Sequence, residues 1–409
     1  MVAVEPRGER VSIGLLYRAA LALFCIAGFY TSFLNYVSLV ELSPVRPAWW
    51  ILGIGVLSAP LILSRNTWQI VLSSPVSWWS AFYFGLTLLW FIWSSQSDAA
   101  LDEMTVRLLS VVFLGLMLVL FADARIQSWA RLAIVACVLL AVLMNAYDAL
   151  HPLAFSPFVG RAAGLYLNPN ISGSAIVVGM VITFGILPGW FRAGYLALAG
   201  VGVLLTFSRG AIIAWSVALA ILLWPTFSRL SKALRVFVGI AAIVVFVGVW
   251  AERDTEVAYS TQQRVSEAAT LFRFTDASSD FSLGERRQAA AAAWNLFQDA
   301  PFFGHGVAAT VEWDDLSSTH NIVLRHLAEY GLIGSVIFPL LLLALASRRR
   351  SGSTGRHQLM LVAVLAVWGT VSHNLLDERH FLIAVSLTAM MSATAAGSRS
   401  VTQPRNADL

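Results

Sequence analysis

The stretch that decides the fold is SSTHNIVLRHLAEYGLIGSVIFPLLLLALA, residues 317–346. It follows a long polar segment and continues in mostly apolar residues to Ala346, which is far enough to cross a bilayer. His320 lies where this membrane helix meets water, and Ser318 or Thr319 is predicted to cap the start of the helix. The positive end of the helix dipole disfavours a protonated imidazole there, and a neutral imidazole can accept a proton from a hydroxyl group. His320 is therefore a candidate general base, with a capping or interfacial role as the alternative.

The composition of the whole chain predicts an integral membrane protein. Of its 409 residues, 58% are hydrophobic and only 12% are charged, which is too apolar for an ordinary soluble domain. Apolar segments of about 18 to 22 residues recur along the chain, and each is long enough to span a hydrocarbon core of roughly 30 Å. Because the backbone in lipid must satisfy its own hydrogen bonds, the predicted fold class is an all-α polytopic membrane protein.

The apolar segments predict about twelve transmembrane helices. The first is predicted to be a retained span rather than a cleaved signal peptide, because no small-residue cleavage pattern follows it. Nine helices are placed in residues 1–250, one long loop in 251–319, three helices in 320–397 and a tail in 398–409. The predicted spans are 13–34, 49–64, 76–94, 106–121, 129–147, 171–187, 195–205, 211–224, 236–250, 321–346, 359–371 and 381–395.

Basic residues set the predicted orientation. Arginine and lysine are concentrated in alternate connections, such as 228–235 and 347–356, and cytoplasmic loops carry such an excess. Both termini are therefore predicted to be cytoplasmic, with the acidic loop at 251–319 on the outer side. Within this loop, residues 282–285 have capping-box spacing, which predicts a helix at 285–299 that lies along the membrane surface.

No metal or cofactor is predicted. Cys25 and Cys137 lie in apolar runs, where they are expected to pack into the core rather than to form a disulfide or a thiolate metal site. The acidic pair Asp314 and Asp315 is explained as solvated loop surface. Arginines are expected to stabilise a leaving diphosphate in place of a divalent cation, so catalysis is predicted to be metal-independent.

Several arginines are predicted to gather on the outer side. In the orientation above, Arg161, Arg209, Arg286 and Arg287 lie on the same side as His320. Guanidinium groups match phosphate oxygens bidentately, so a cavity lined by several of them predicts a diphosphate or a similar dianion as ligand. Each arginine has a simpler alternative, because a helix-end arginine can extend to lipid headgroups and a loop-helix arginine can be solvated surface.

Other polar residues near these segments are predicted to be structural. His373 and His380 are expected to pack within the protein. Arg325 is expected to pair with Glu329 one helical turn later. The glycines of residues 331–334 are expected to permit close contact between helices.

These motifs resemble those of a known family. His320 and Asn321, followed after nine residues by Gly331-x-x-Gly334, resemble the signature of the O-antigen ligases, polytopic enzymes that join lipid-linked surface polysaccharide to the lipid A core. Residues 206–211 contain a Ser-Arg-Gly element that resembles one shared by the wider ligase and polymerase superfamily. The resemblance runs from Arg161 to the C-terminal spans, whereas the first five spans match in hydropathy alone. The further matching residues are Gly164, Asn168, Pro169, Asn170, Arg287, Trp294, Pro301, Gly304 and Gly306.

The resemblance implies a GT-C-type glycosyltransferase of the bacterial inner membrane whose active site faces the periplasm. It also implies an undecaprenyl-diphosphate-linked O-antigen as donor, the lipid A core as acceptor and inversion at the anomeric carbon. The family's essential histidine maps to His320 and its essential outer-side arginine to Arg209. The implied substrate-binding residues are Arg161, Arg286, Arg287 and Asn321.

Three other functions fit these patterns. An O-antigen polymerase would use a lipid-linked repeat as its acceptor, and a pilin oligosaccharyltransferase would need a groove for a peptide. A transporter of lipid-linked sugars would carry charged residues near the middle of the membrane, whereas the charged residues here cluster towards one face. Membrane lipids are the expected surroundings, and no nucleic-acid partner is predicted.

Overall fold

The computed structural model of the protein describes residues 12–158, 160–227, 277–313, 319–347 and 353–402, in which all regular structure is helical. The protein is an all-helical polytopic membrane protein, as its composition predicts. Within these ranges, five helical segments are long and apolar enough to cross a membrane: Ile13–Tyr30, Asp98–Leu120, Ala124–Leu150, Pro169–Ile186 and Ile322–Ala346. The total of about twelve spans stays a prediction, and the predicted span at 236–250 lies outside the described residues.

The first part of the chain starts its helices with proline or with capping side chains. Pro47 and Pro75 occupy the first turns of their helices, where the missing N–H needs no partner. The side chains of Ser12, Ser97 and Asp123 accept hydrogen bonds from first-turn N–H groups. The helices are α1 (Ile13–Cys25, continued by a π-helical turn at Ile26–Tyr30), α2 (Phe33–Leu39), α3 (Pro47–Leu57), α4 (Ala59–Ile62), α5 (Arg65–Leu72), α6 (Pro75–Phe91), α7 (Asp98–Leu120) and α8 (Ala124–Leu150).

The second part of the chain contains the helices that carry the sequence motifs. They are α9 (Pro169–Thr183), α10 (Gly189–Leu205), α11 (Arg209–Phe227), α12 (Ala277–Asp299), α13 (Ile322–Tyr330), α14 (Gly334–Ala346), α15 (Ser353–Gly369) and α16 (Arg379–Thr402). The predicted loop helix is α12, which ends at the predicted residue but begins at 277 rather than 285. Extending a helix that has already formed is cheap, so the capping signal at 282 does not start one.

The predicted span at 321–346 is interrupted at Gly331, where α13 ends. Gly331 has a φ of 61°, and a Cβ atom there would lie 2.4 Å from the carbonyl carbon of Phe302. Only glycine fits this close approach of two backbones. A Cβ on Gly334 would lie 1.9 Å from the carbonyl oxygen of His326 in α13. The expected close helix contact therefore applies to Gly334, whereas Gly331 contacts a loop.

The packing of the helices places α7 and α9 in the interior. α7 packs against α6 and α16, and α9 packs against α8, α10 and α11. α15 packs against both α11 and α14. The loop that follows α15, residues 370–378, consequently lies where the groups meet.

Candidate active site

Four helices begin with the same local backbone geometry. In each, a residue with positive φ precedes a Ser or Asn whose side chain caps the helix. The left-handed conformation is strained for residues other than glycine, so its recurrence marks turns that the surrounding structure holds in place. The pairs are Gln96–Ser97 before α7, Leu167–Asn168 before α9, Phe207–Ser208 before α11 and His320–Asn321 before α13.

His320 lies directly before α13, half-buried and with a φ of 48°. Asn321 caps this helix, because its Oδ1 accepts hydrogen bonds from the N–H groups of Val323 at 2.9 Å and Leu324 at 3.1 Å. The prediction of a Thr319 cap is wrong, since that hydroxyl donates to the carbonyl oxygen of Asn321 at 3.3 Å. The alternative cap at position 318 lies outside the described residues. Since an amide oxygen reaches two N–H groups, capping does not require the imidazole of His320.

His373 lies beside His320. The two imidazole rings pack edge to face, with centroids 5.7 Å apart and planes at 87°. Burial, together with the charges of Arg325 and His320, lowers the pKa of His373 to about 3, so this imidazole is neutral at physiological pH. His373 was expected to be structural, and no sequence motif marked it as a neighbour of the candidate base.

The start of α11 lies against the loop that carries His373. Arg209 is the first residue of α11 and is exposed. A Cβ atom on Gly210 would lie 3.0 Å from Cγ2 of Val371 and 3.5 Å from the ring of Trp368. The loop at 370–378 therefore contacts both the candidate base and the helix start that carries the predicted catalytic arginine.

Arg161 lies against the starts of α9 and α11. Its Nη2 donates a hydrogen bond to Oδ1 of Asn170 at 3.0 Å, and its Nε donates to the carbonyl oxygen of Thr206 at 3.4 Å. Its guanidinium carbon lies 5.7 Å from the centroid of the Phe158 ring, within cation–π range. Two motif segments that are distant in the sequence are thus brought together at this arginine.

Asp148 anchors the loop that carries Arg161, and the sequence analysis did not identify it. Its buried carboxylate, near the end of α8, accepts hydrogen bonds of 2.8–3.3 Å from the N–H groups of Phe155, Ser156, Ala163 and Gly164. Such charge-assisted bonds fix the backbone on which Arg161 stands. The signal in the sequence was an aspartate at the end of an apolar run, directly before a polar loop.

The two predicted loop arginines belong to α12. Arg287 is exposed, and α12 packs against α13. The segment that follows α12 also binds α13, because the N–H groups of His305 and Gly306 donate to the carbonyl oxygens of Ala328 and Glu329, each at 3.0 Å. A role of Arg286 and Arg287 in binding an anion stays a prediction.

Buried ion pairs hold α13 against α7. Arg107 pairs with Glu329 at 2.7 Å and with Glu103 at 3.3 Å. Arg325 pairs with Glu329 at 3.4 Å, as predicted, with Asp377 at 3.4 Å and also with Glu103. We call these five residues the charge network. The sequence analysis missed its α7 half, although the four-residue spacing of Glu103 and Arg107 at the start of an apolar span was a signal for an ion pair.

Further polar groups surround the loop at 370–378. Burial raises the pKa of Asp377, and it raises the pKa of Glu378 to about 7. Glu378 accepts a hydrogen bond from Nδ2 of Asn374 at 2.9 Å. His380 is buried with its Nε2 2.8 Å from the hydroxyl of Ser174. Among the described residues, no three His, Cys, Asp or Glu side chains form a group that could hold a metal ion.

Comparison with known families agrees with the motifs. A family model described as O-antigen ligase matches residues 194–339. The matched segment contains Arg209, Arg286, Arg287, His320 and Asn321 and ends short of Arg161 on the N-terminal side. The match confirms the resemblance to this family and indicates a glycosyltransferase-type enzyme of the O-antigen ligase and polymerase superfamily. A comparison with curated proteins finds no match for this chain.

Proposed function

From this family match we propose that the protein transfers O-antigen polysaccharide from undecaprenyl diphosphate to a hydroxyl group of the lipid A core. One observation carries the proposal: the loop at 370–378 contacts both the ring of His320 and the helix start that bears Arg209. Transfer of a diphosphate-linked sugar to an alcohol benefits from a base for the alcohol and from positive charge for the leaving group. These two residue types flank the same loop.

In the proposed reaction, His320 accepts the proton of the acceptor hydroxyl as the hydroxyl oxygen attacks the anomeric carbon. The bond between that carbon and the diphosphate oxygen breaks, and its electron pair stays on the diphosphate. Attack from the opposite face inverts the anomeric configuration. Arg161, Arg209 and Arg287, with Arg286 beside it, bind the diphosphate and stabilise the charge that develops on it. The N-terminal ends of α9 and α11, which both contact Arg161, add favourable helix dipoles.

The proposal includes the architecture around this reaction. About twelve transmembrane helices form a GT-C-type bundle in the bacterial inner membrane, with both termini in the cytoplasm and the site facing the periplasm. The loop at 251–319 covers the site from the periplasmic side. Contacts between helix starts support one common face: Arg161 joins those of α9 and α11, and the charge network joins α13 to α7. No metal ion takes part.

The test is transfer in vitro by purified protein from an undecaprenyl-diphosphate-linked polymer to lipopolysaccharide that lacks O-antigen. His320→Ala is expected to lower the rate about 100- to 10,000-fold, and Arg209→Ala at least as much. His151→Ala is the matched control and should keep the wild-type rate, because His151 is exposed and stacks on Tyr147 at the end of α8. A wild-type rate in His320→Ala would remove the proposed base.

The same assay separates the alternatives within the superfamily. Extension of the donor polymer without lipopolysaccharide would indicate a polymerase, and attachment of the polymer to a protein would indicate an oligosaccharyltransferase. Activity is expected to survive a strong chelator. Its loss would contradict metal-independent transfer.

A further inference from the structure

The loop at 370–378 holds His373 in place through contacts that do not use its imidazole ring. The carbonyl oxygen of His373 accepts a hydrogen bond from Nη1 of Arg325 at 3.3 Å. On its C-terminal side, Oδ1 of Asn374 accepts a hydrogen bond from Ser372 at 2.7 Å, while Nδ2 of Asn374 donates to Glu378 at 2.9 Å. The loop therefore presents a ring on which its own shape does not depend.

The ring of His373 has a buried nitrogen with no partner among the residues that the structure describes. This atom is Nδ1, and the ring that carries it packs edge to face on His320. Buried polar atoms are nearly always hydrogen-bonded, so an exception needs an explanation. Beside a candidate catalytic base, a bound substrate is a source of the missing partner.

The chemistry of His373 suits hydrogen bonding better than proton abstraction. Burial and the nearby Arg325 lower its pKa to about 3, which makes it a weak base at neutral pH. A neutral imidazole has one nitrogen that donates and one that accepts. A sugar hydroxyl can serve either nitrogen, because it is both donor and acceptor.

The geometry points to His373 as an acceptor-binding residue, whose Nδ1 hydrogen-bonds a sugar hydroxyl next to the one that His320 deprotonates. This inference rests on the proposed function and deepens it. Two imidazoles at right angles, with ring centroids 5.7 Å apart, contact neighbouring positions on one sugar ring. Holding the sugar at two points orients one hydroxyl towards the base, so His373 helps to determine which hydroxyl reacts.

The test compares three substitutions of His373 in the transfer assay, with acceptor and donor concentrations varied separately. The amide of asparagine lies near the position of Nδ1, whereas that of glutamine lies near Nε2. His373→Asn is expected to keep the acceptor KM near the wild-type value. His373→Ala and His373→Gln are expected to raise it about 3- to 10-fold, the loss expected for one hydrogen bond, with the donor KM unchanged.

Two controls separate binding from folding. His151→Asn makes the same chemical change at an exposed histidine and should leave both KM values unaltered. Thermal unfolding in detergent should give similar midpoints for the three His373 variants, because the backbone of the loop is held by Arg325 and Asn374.

The outcomes distinguish this inference from the proposed function. A wild-type acceptor KM in His373→Ala would overturn the acceptor-binding role and leave the transfer reaction standing. Equal losses in all three variants, with lower unfolding midpoints and a raised donor KM, would show a structural role and also overturn it. Absence of any transfer by the wild-type protein would instead overturn the proposed function.

Discussion

The charge network and the loop arginine Arg161 show two ways of satisfying a guanidinium group near the candidate site. In the charge network, two buried arginines face carboxylates on α7, on α13 and before α16. Arg161 is half-buried and donates to two neutral oxygens, on Asn170 and Thr206. The first arrangement joins helices, and the second positions a guanidinium group at the starts of two helices.

This difference indicates which arginines stabilise the fold and which suit a substrate. Carboxylates that neutralise an arginine also remove its attraction for an anion, whereas neutral oxygens orient it and leave its formal charge in place. The sequence alone puts both kinds of arginine near one face. The structure separates them by the chemistry of their partners.

Breaking the charge network should have the largest effect on stability. Glu329→Gln leaves the fully buried Arg107 with much less compensating charge, so we expect the free energy of unfolding to fall by about 3–5 kcal/mol. Thermal unfolding in detergent measures the loss. The double variant Arg107→Met with Glu329→Met should recover much of it, because an apolar pair removes both buried charges.

A surface ion pair provides the control for this experiment. Asp123 and Arg125 pair at 3.1 Å, and the arginine side chain is 49% exposed. Asp123→Asn should therefore cost at most about 1 kcal/mol. If Glu329→Gln cost no more than Asp123→Asn, the charge network would not hold α13 in place.

Arg161 should show the opposite pattern, with a loss of activity and little loss of stability. Arg161→Ala is expected to slow transfer about 100-fold, equivalent to about 2.7 kcal/mol in the barrier. Its unfolding free energy should change by no more than about 1 kcal/mol, because the lost bonds are to neutral oxygens. Arg161→Lys should lie between the two, since an ammonium group cannot bind a phosphate bidentately.

Arg192 is a matched control at the other end of α9. It too is half-buried, donates to a carbonyl oxygen, that of Leu187 at 2.9 Å, and lies 5.8 Å from an aromatic centroid, that of Phe184. Arg192→Ala should change stability about as much as Arg161→Ala and leave transfer unaltered. Equal losses of transfer in both variants would contradict an anion-binding role specific to Arg161.

Much of the fold could be predicted from the sequence, because lipid allows so few backbone arrangements. The described helices coincide with the predicted apolar segments to within several residues. What could not be predicted was where they break. The interruption at Gly331 depends on the approach of the Phe302 backbone from a distant segment, and local sequence contains no information on that contact.

The site was predictable where a motif marked it. The motifs identified His320, Arg161 and Arg209, and the helical spacing identified the pair formed by Arg325 and Glu329. His373, Asp148 and Arg107 were missed for a common reason: each acts through a partner far away in the sequence. A single sequence shows that such a residue is polar in an apolar setting, but the partner appears only when the chain is folded.

Removing the anchor of the Arg161 loop should have an intermediate effect. Asp148→Asn replaces one acceptor oxygen with an N–H₂ group that faces backbone N–H donors, so the free energy of unfolding should fall by about 1–2 kcal/mol. The donor KM should also rise, because Arg161 loses its fixed position. Asp102→Asn, at an exposed aspartate on α7, is the control and should change neither quantity. An unaltered donor KM in Asp148→Asn would show that Arg161 is held without this carboxylate.

The smallest expected effect concerns Glu378, which adjoins the charge network and accepts its hydrogen bond from the neutral amide of Asn374. Burial raises its pKa to about 7 from an ordinary value near 4.5. A raised pKa means that the folded protein holds the proton more tightly, so the stabilisation is complete below pH 4.5 and is lost as the pH rises through 7. Between pH 6.5 and 8 the wild-type protein should lose roughly 0.5–1 kcal/mol relative to Glu378→Gln, as measured by unfolding in detergent. His373 does not confuse this window, because its depressed pKa of about 3 affects stability only as the pH falls below its ordinary value of 6.5. Parallel pH profiles for the two proteins would mean that a positive charge compensates Glu378 as fully as it does the carboxylates of the charge network.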